Sequence, residues 1–571
     1  MQKNGARILL DALIANGVDT IFGYPGGANM TLYDAIHQQK EIKHILTCHE
    51  QAAVHAAQGY SRASGKLGVI FLTSGPGATN GVTGITDAML DSTPLLIITS
   101  QVVSHAIGSD AFQEADIIGI TKPITKHNYL VKDVKKVYNT VNEAIHIATT
   151  GRKGPVLIDI PKDIHATMLE IHEYNAYKVR DSYKVKSEIS EDELKPALEL
   201  ILQAKKPVFY CGGGINAAGE EAAEMLKQLV KYTNFPVTLT LMGLGGYDAK
   251  EPEFLQMLGM HGSYEANMAM YEADLLIAVG VRFDDRITGK LQKFSPNSRK
   301  IHIDIDPSEL NKNVKVDVAI KGDCAIALGQ LHSMIQGKKM QDISQWWGQI
   351  NAWRTKDSFG YNQKPDDDIL PQHALDLVYK ATKDLNPFFT TDVGQHQMWA
   401  AQYCRVRKIR RFVTSAGLGT MGFGFPAAIG VKVAYPQDLV ICVTGDGSFM
   451  MNLQELGAVK RYKIPVKILM LNNGYLGMVR QWQDTFYEGR HTEVDFTSIT
   501  PDFVKLCESF DIKASVVEKL SDLEGGINAM LEDANAPYLL VVNTKRDEDV
   551  YPMIAPGAGH SEMLFEKSYA K

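Results

Sequence analysis

Asp446 stands between two glycines in VTGDGSFMMN, Val443 to Asn452, directly after the apolar run VICVT from Val440. A bare carboxylate flanked by residues without Cβ adds little stability, so it faces something that approaches closely. A helical segment follows, then a second apolar strand, VKILMLNN, ending at Asn472 and Asn473. One crossover helix between parallel strands sets Asp446 and Asn473 at neighbouring carboxyl ends. An anionic oxygen and an amide oxygen suit a hard cation such as Mg²⁺, which keeps near-octahedral geometry and bridges to phosphates. Gly445 and Gly447 let the backbone approach those phosphates, and the N–H groups at the helix start add positive potential. A GDG alone is an ordinary turn. Followed at this spacing by NN after a strand, it reads as a metal-diphosphate site.

The elements that position these residues occur twice. VIFLTSGPGATNGVTGITDAMLDSTPLLIITS, from Val69, runs parallel to VICVTGDGSFMMNLQELGAVKRYKIPVKILML, from Val440. Each is a β-branched strand, a glycine turn, a helix, a proline and another strand, and Thr73 to Pro94 spans the same distance as Thr444 to Pro465. GPVLIDIP from Gly154 is echoed by APYLLVVN from Ala536. Short runs buried on both faces and joined by helices imply parallel sheets, with ligands at the carboxyl ends of the strands. The expectation is an α/β protein of three doubly wound parallel-sheet domains, the first and third related. Residues 1–165 form the first, 191–335 the middle and 365–550 the third. Polar stretches 166–190 and 336–364 are expected as linkers, and 551–571 as a tail. In the middle domain KPVFYCGGG places Gly212, Gly213 and Gly214 after a strand, open to a phosphate or adenosine but equally a tight turn. Asp304 and Asp306 could accept from ribose hydroxyls or be solvated turn residues.

Length and composition bound the rest. At 571 residues the chain is too long for one core. With 45% hydrophobic and 22% charged residues and a net charge of −7, it has the balance of a soluble globular protein. No basic tract would follow a nucleic-acid backbone, and no apolar run would span a bilayer. The six cysteines lie far apart without a CxxC pair, and four sit in or beside apolar runs as core thiols. MQKNGARILLDALIANG reads as a helix stopped at Asn16-Gly17 and lacks a signal peptide's apolar centre. A cytoplasmic setting is expected.

GDG through NN resembles the diphosphate signature of thiamine diphosphate enzymes. Along essentially the whole chain, GYPGG, CHEQAA, SGPGATN, GSDAFQE, GPVLIDIPKDI, LGMHG, GVRFDDR, VGQHQMWAAQ, AGLGTMGFG, GDGSFMMN and NNGYLGMVRQWQ are similar to the acetohydroxyacid synthase (acetolactate synthase) catalytic subunits. The resemblance implies that the first and third domains bind thiamine diphosphate and the middle one FAD.

It also implies roles residue by residue. Glu50 would stand beside a ring nitrogen of the cofactor's aminopyrimidine as the proton-transferring acid; taken alone it is an ordinary acid at a helix start. Met421 would be the apolar wedge that bends the cofactor, and the Gly419 carbonyl would accept from its exocyclic amine. Gln395, His396, Gly447 and Ser448 match diphosphate contacts, and the Tyr475 carbonyl would join Asp446 and Asn473 on the metal. Gly27, Phe112, Gln113 and Lys162 match the substrate channel. Trp482 matches the residue that favours the larger acceptor, and Arg286 could hold a substrate carboxylate or pair with Asp284 or Asp285. Arg152, Gly214, Thr240, Leu241, Met242, His261, Gly280, Arg282, Asp304 and Asp323 match flavin positions. The flavin would be structural, because the net reaction transfers no electrons.

The implied reaction decarboxylates pyruvate and transfers a hydroxyethyl unit to pyruvate or 2-oxobutyrate, on the route to branched-chain amino acids. The family's proline after its glutamine-valine pair is absent here, where Gln101-Val102-Val103 stands, so channel shape does not carry over. A homodimer or homotetramer with active sites at the subunit boundary and a small regulatory subunit is implied too. A flavin-dependent pyruvate oxidase and a non-catalytic binding homologue are the alternatives.

Overall fold

The computed structural model describes residues 1–566, apart from 175–176, 181–182 and 186–187. The first sheet contains β1 (Thr20–Gly23), β2 (Lys43–Leu46), β3 (Gly68–Leu72), β4 (Leu95–Gln101), β5 (His127–Leu130) and β6 (Pro155–Pro161). Its order is β2-β1-β3-β4-β6-β5, every pairing parallel. The middle sheet contains β7 (Pro207–Cys211), β8 (Val237–Leu239), β9 (Phe254–Met257), β10 (Leu275–Val279), β11 (Arg299–Asp304) and β12 (Val318–Lys321), in the order β9-β8-β7-β10-β11-β12. The third contains β13 (Phe388–Thr391), β14 (Phe412–Thr414), β15 (Val440–Gly445), β16 (Lys467–Asn472), β17 (Lys513–Val517) and β18 (Tyr538–Asn543).

The third sheet's order, β14-β13-β15-β16-β18-β17, repeats the first strand for strand. The central runs are buried along their whole length, as in LLIITSQ of β4 and VICVTG of β15. Such runs need cover on both faces, which crossover helices supply. The two outer domains then meet through helices Glu50–Ser64 and Gly424–Ala434. Gly59 abuts the Ala427 carbonyl and Gly430 the Ala56 carbonyl, so a Cβ at either would overlap backbone. Beside this contact half-buried Arg62 makes ion pairs with Asp87 (3.0 Å) and Asp91 (3.1 Å) and bonds the Thr414 carbonyl.

The segments expected to be linkers carry structure. Met168–Glu170 pairs antiparallel with Gln2–Asn4. Residues 336–364 include the helix Ser344–Arg354, whose Trp346 is 2% exposed and donates from its indole to the Pro207 carbonyl at 3.1 Å. In the tail, Met553–Ile554 pairs with Met563–Leu564, and the Pro552 carbonyl lies 3.1 Å from His261 Nδ1. All six cysteines are unpaired thiols, five of them buried. Among the described residues no helix is long and apolar enough to cross a membrane.

Candidate active site

Four loops leave the carboxyl ends of the adjacent strands β14, β13, β15 and β16. In the register of β15 with β16, Gly445 lies opposite Leu471, so Asp446 comes beside the Asn473-Gly474 turn. The Gly474 and Gly447 N–H groups and Arg546 favour the ionised Asp446, but burial dominates and pushes its carboxyl up to about 6. The residue is 1% exposed and Oδ2 has no hydrogen-bond partner. An orphan carboxylate oxygen in a dry site calls for a cation.

Asn473 Oδ1 accepts from the Tyr475 N–H at 3.0 Å, which folds the Tyr475 backbone over it. Arg546 lies 4.4 Å over the Tyr475 ring. Gln395 donates to Gln481 Oε1 (2.9 Å) and the Glu548 carbonyl (3.0 Å) and lies 3.4 Å from Asn473 Nδ2. His396 is buried beside Gly445 with Nε2 unpartnered, and burial lowers its pKa to about 3, so the imidazole is neutral. Ser448 Oγ lies 3.5 Å from the Val393 carbonyl. A Cβ on Gly447 would stand 3.0 Å from the Leu476 side chain, which would have to shift to make room for it.

Sequence reasoning missed Asp392, the fully buried residue that ties these loops together. It accepts from the Gly424 N–H (2.7 Å) and the Thr444 hydroxyl (2.5 Å), joining the ends of β13 and β15 to the segment after Met421. It lies three residues before Gln395 in TTDVGQHQ; that closeness was the one available signal.

The loop bearing Gly419 (φ +79°) and half-buried Met421 is held from the first domain. Asp87 accepts from the Thr420 hydroxyl (2.9 Å) and the Ser415 hydroxyl. Asp91 accepts from the Ala416 (3.0 Å) and Gly417 (2.7 Å) N–H groups.

On the first sheet, Glu50 is the first residue of its helix because His49 caps it, Nδ1 accepting from the Gln51 N–H at 3.1 Å. Asn80, also missed although it closes SGPGATN, donates to Glu50 Oε2 at 3.0 Å. Glu50 Oε1 faces Gly77, where a Cβ would stand 3.2 Å away. Gln113, with φ +62°, packs its backbone against Gly75. Gly27, Phe112 and Lys162 are exposed near the same carboxyl edge, Phe112 at 88%. Gln101 links this loop to the sheet: its Nε2 donates to the Ala115 carbonyl (2.8 Å) and to buried Asp159 (3.0 Å).

A cavity of about 1500 Å³ lies where the three domains meet. Arg152, Gly214, Thr240, Leu241, Met242, His261, Gly280, Arg282, Asp304 and Asp323 all line it, and so do Gly419, Arg286 and Trp482. Gly214 and Gly280 touch backbone to backbone. Burial raises Asp304 to about 6, and Arg152 pairs with Glu309 (2.8 Å) and Asp306 (3.2 Å). Of the two uses open to Arg286, neither aspartate holds its guanidinium closely: Asp284 accepts from its backbone, Asp285 is 4.0 Å away, and the charge lies 5.8 Å over the Trp482 ring.

Three family descriptions match in chain order: the thiamine pyrophosphate enzyme N-terminal TPP binding domain over residues 3–120, the central domain over 194–331 and the C-terminal TPP binding domain over 392–542. The acetolactate synthase large subunit of Haemophilus influenzae is 45% identical over 568 residues, covering 99% of this chain and 98% of its own. The isozyme 3 large subunit of Escherichia coli (strain K12) is 44% identical, covering 99% of each chain, and the isozyme 2 large subunit is 45% identical, covering 98% and 99%. The chain belongs to the acetolactate synthase large-subunit family. It is a thiamine diphosphate-dependent transferase of that family, built on two related cofactor-binding domains and a central one. In this acetolactate synthase framework the sequence-derived residues form three groups: one at the tips of the third sheet, one at the tips of the first, and one around the central cavity.

Proposed function

We propose that the chain decarboxylates pyruvate with thiamine diphosphate and transfers the hydroxyethyl unit to a second 2-oxo acid. Pyruvate gives 2-acetolactate, and 2-oxobutyrate gives 2-aceto-2-hydroxybutyrate. The observation that carries this reading is the buried Asp446, its Oδ2 unpartnered, beside Asn473 at adjacent strand tips. The donor set fits Mg²⁺ and a diphosphate: carboxylate, amide oxygen and the Tyr475 carbonyl for the cation, with Gln395, His396, Gly447 and Ser448 for the phosphates.

Bound thiamine diphosphate supplies a carbon nucleophile and an electron sink. The protein's part is to hold it, exclude water and move one proton. The unpartnered Nε2 of neutral His396 reaches a phosphate oxygen best as the N–H donor. Glu50 would exchange a proton through Oε1 with a ring nitrogen of the bound cofactor, while Asn80 fixes Oε2. Met421 would pack against the bound cofactor, and the Gly419 carbonyl would accept a hydrogen bond from its exocyclic amine. Gly27 and Gln113 border the substrate, Phe112 and Lys162 flank the channel, Arg286 takes a substrate carboxylate and Trp482 packs on the acceptor's alkyl end.

The central cavity fits FAD, in a structural role. Its size exceeds the usual range for one drug-sized ligand, and its glycine-opened floor admits a dinucleotide. Phe112, Met30 (67% exposed) and Met451 (53% exposed) are each exposed in segments that follow strands of the outer sheets, in keeping with a homodimer or homotetramer in which Glu50 of one copy serves the cofactor held by the other. The relatives' designation as large subunits supports a small regulatory partner, and the unpaired thiols support a cytoplasmic setting.

Incubation with pyruvate, with and without 2-oxobutyrate, tests the reaction. The expected result is one carbon dioxide and one 2-acetolactate per two pyruvates, with the mixed product added by 2-oxobutyrate. Acetate or acetyl phosphate formed with oxygen uptake would identify a pyruvate oxidase instead.

A further inference from the structure

The segment after the GDG turn does more than close a crossover. Asn452 is buried and donates to the Gly422 carbonyl at 2.7 Å, one residue beyond Met421. Glu455, fully buried, directs its carboxylate into the first domain, where Oε1 and Oε2 accept from the Cys48 N–H at 2.9 and 3.0 Å. The His49 N–H also bonds this carboxylate, yet burial outweighs both bonds and pushes the acid up to about 8. Farther along, Tyr462 Oη accepts from the Leu46 N–H at 2.8 Å. Gly457 allows this approach, since a Cβ there would stand 3.0 Å from Cys48 Sγ.

The backbone from Leu46 to His49, which ends β2 and leads into Glu50, is therefore fastened by the third domain of the same chain. A buried acid without a cation partner costs stability even when burial keeps it protonated, and its place here is explained by the backbone N–H groups it holds. We infer that Glu455 is a positioning residue: by gripping the Cys48 and His49 N–H groups it fixes the direction in which Glu50 presents its carboxyl. The inference rests on the proton-transfer role proposed for Glu50. Its consequence is that one stretch of chain, Asn452–Tyr462, sets both the Met421 loop and the Glu50 carboxyl.

Glu455→Gln tests this, because an amide keeps the shape but turns an N–H₂ group towards one of the two N–H donors. In the full chain, amide exchange at Cys48 and His49 should quicken at least tenfold. In the loaded enzyme kcat should fall at least tenfold while the Kd for thiamine diphosphate stays within twofold. In a Glu50→Gln background the same substitution should lower kcat no further. A general structural role would weaken cofactor binding and reduce kcat in both backgrounds, and that result overturns the inference; so does unchanged exchange. Should Glu455→Gln fail to fold, Tyr462→Phe removes only the hydroxyl. It should then quicken exchange at Leu46 and lower kcat, and unchanged values for both would refute the inference. Full turnover by Glu50→Gln would instead sink the role of Glu50 itself.

Discussion

At the scale of single residues, the proposed recognition of the acceptor is divided between Trp482 and Arg286. Arg286 offers charge to a carboxylate, and Trp482 offers a face already flanked by Phe486, 5.3 Å away. One methylene in an apolar contact is worth about 1–3 kcal/mol. Trp482→Leu should therefore lower the preference for 2-oxobutyrate over pyruvate roughly tenfold, read from product ratios in competition, while 2-acetolactate formation continues. An unchanged ratio would remove Trp482 from the acceptor's path. The placement of such residues was legible because short local motifs carry them: Asp446 and Asn473 were expected at neighbouring strand tips from their spacing, and Trp482 and Arg286, named from VRQWQ and RFDDR, line one cavity. Asn80, Asp392 and Glu455 were not, because each acts on backbone or side chain supplied by a distant segment. Glu455 and Cys48 lie in different domains, and no local pattern announces that pairing.

At the scale of elements, the strands were legible as short apolar runs, and the repeated spacing anticipated the repeated strand order. The helix Ser344–Arg354 was read as part of a linker because SQWWGQINAWR is polar over most of its surface and rests on Trp346 and Ile350. The loop that carries Phe112 and Gln113 hangs from β4 and β6 by a strut invisible to periodicity, Asp159 to Gln101 to Ala115. Burial pushes Asp159 up to about 7 from its ordinary 3.8, against the hydrogen bonds from Thr99 and Gln101. Between these values the folded chain keeps a proton that the unfolded chain loses, so this residue's contribution to stability falls as pH rises from about 4 to about 7 and is level above. Asp159→Asn keeps an acceptor for Thr99 but cannot ionise. Urea unfolding at pH 5 and pH 8 should show a decline in the wild type at least about 1 kcal/mol larger than in the variant. Equal declines would mean that Asp159 is ionised throughout.

At the scale of the whole molecule, three domains converge on one cavity and bind one another around it. Arg282 donates to the Leu90 carbonyl at 2.6 Å, next to Asp91, which holds the loop leading to Gly419. A flavin in that cavity would brace this chain of contacts without exchanging electrons. Purified protein should be yellow, and reducing the flavin or replacing it with a redox-inactive analogue should leave 2-acetolactate formation within about twofold, whereas abolished turnover with the analogue would refute a structural role. The domain count and order were legible from the duplicated pattern; the convergence was not, because the motifs that line the cavity are scattered from Arg152 to Trp482. The proposed reaction rests on the cation site proposed at the third sheet's tips. Thiamine diphosphate titrated into the full-length protein with and without Mg²⁺ tests it most directly. Wild-type binding should require the cation, and Asp446→Ala should weaken it at least about a hundredfold, or 2.7 kcal/mol. Equal affinity in the variant, or binding indifferent to Mg²⁺, would contradict the account.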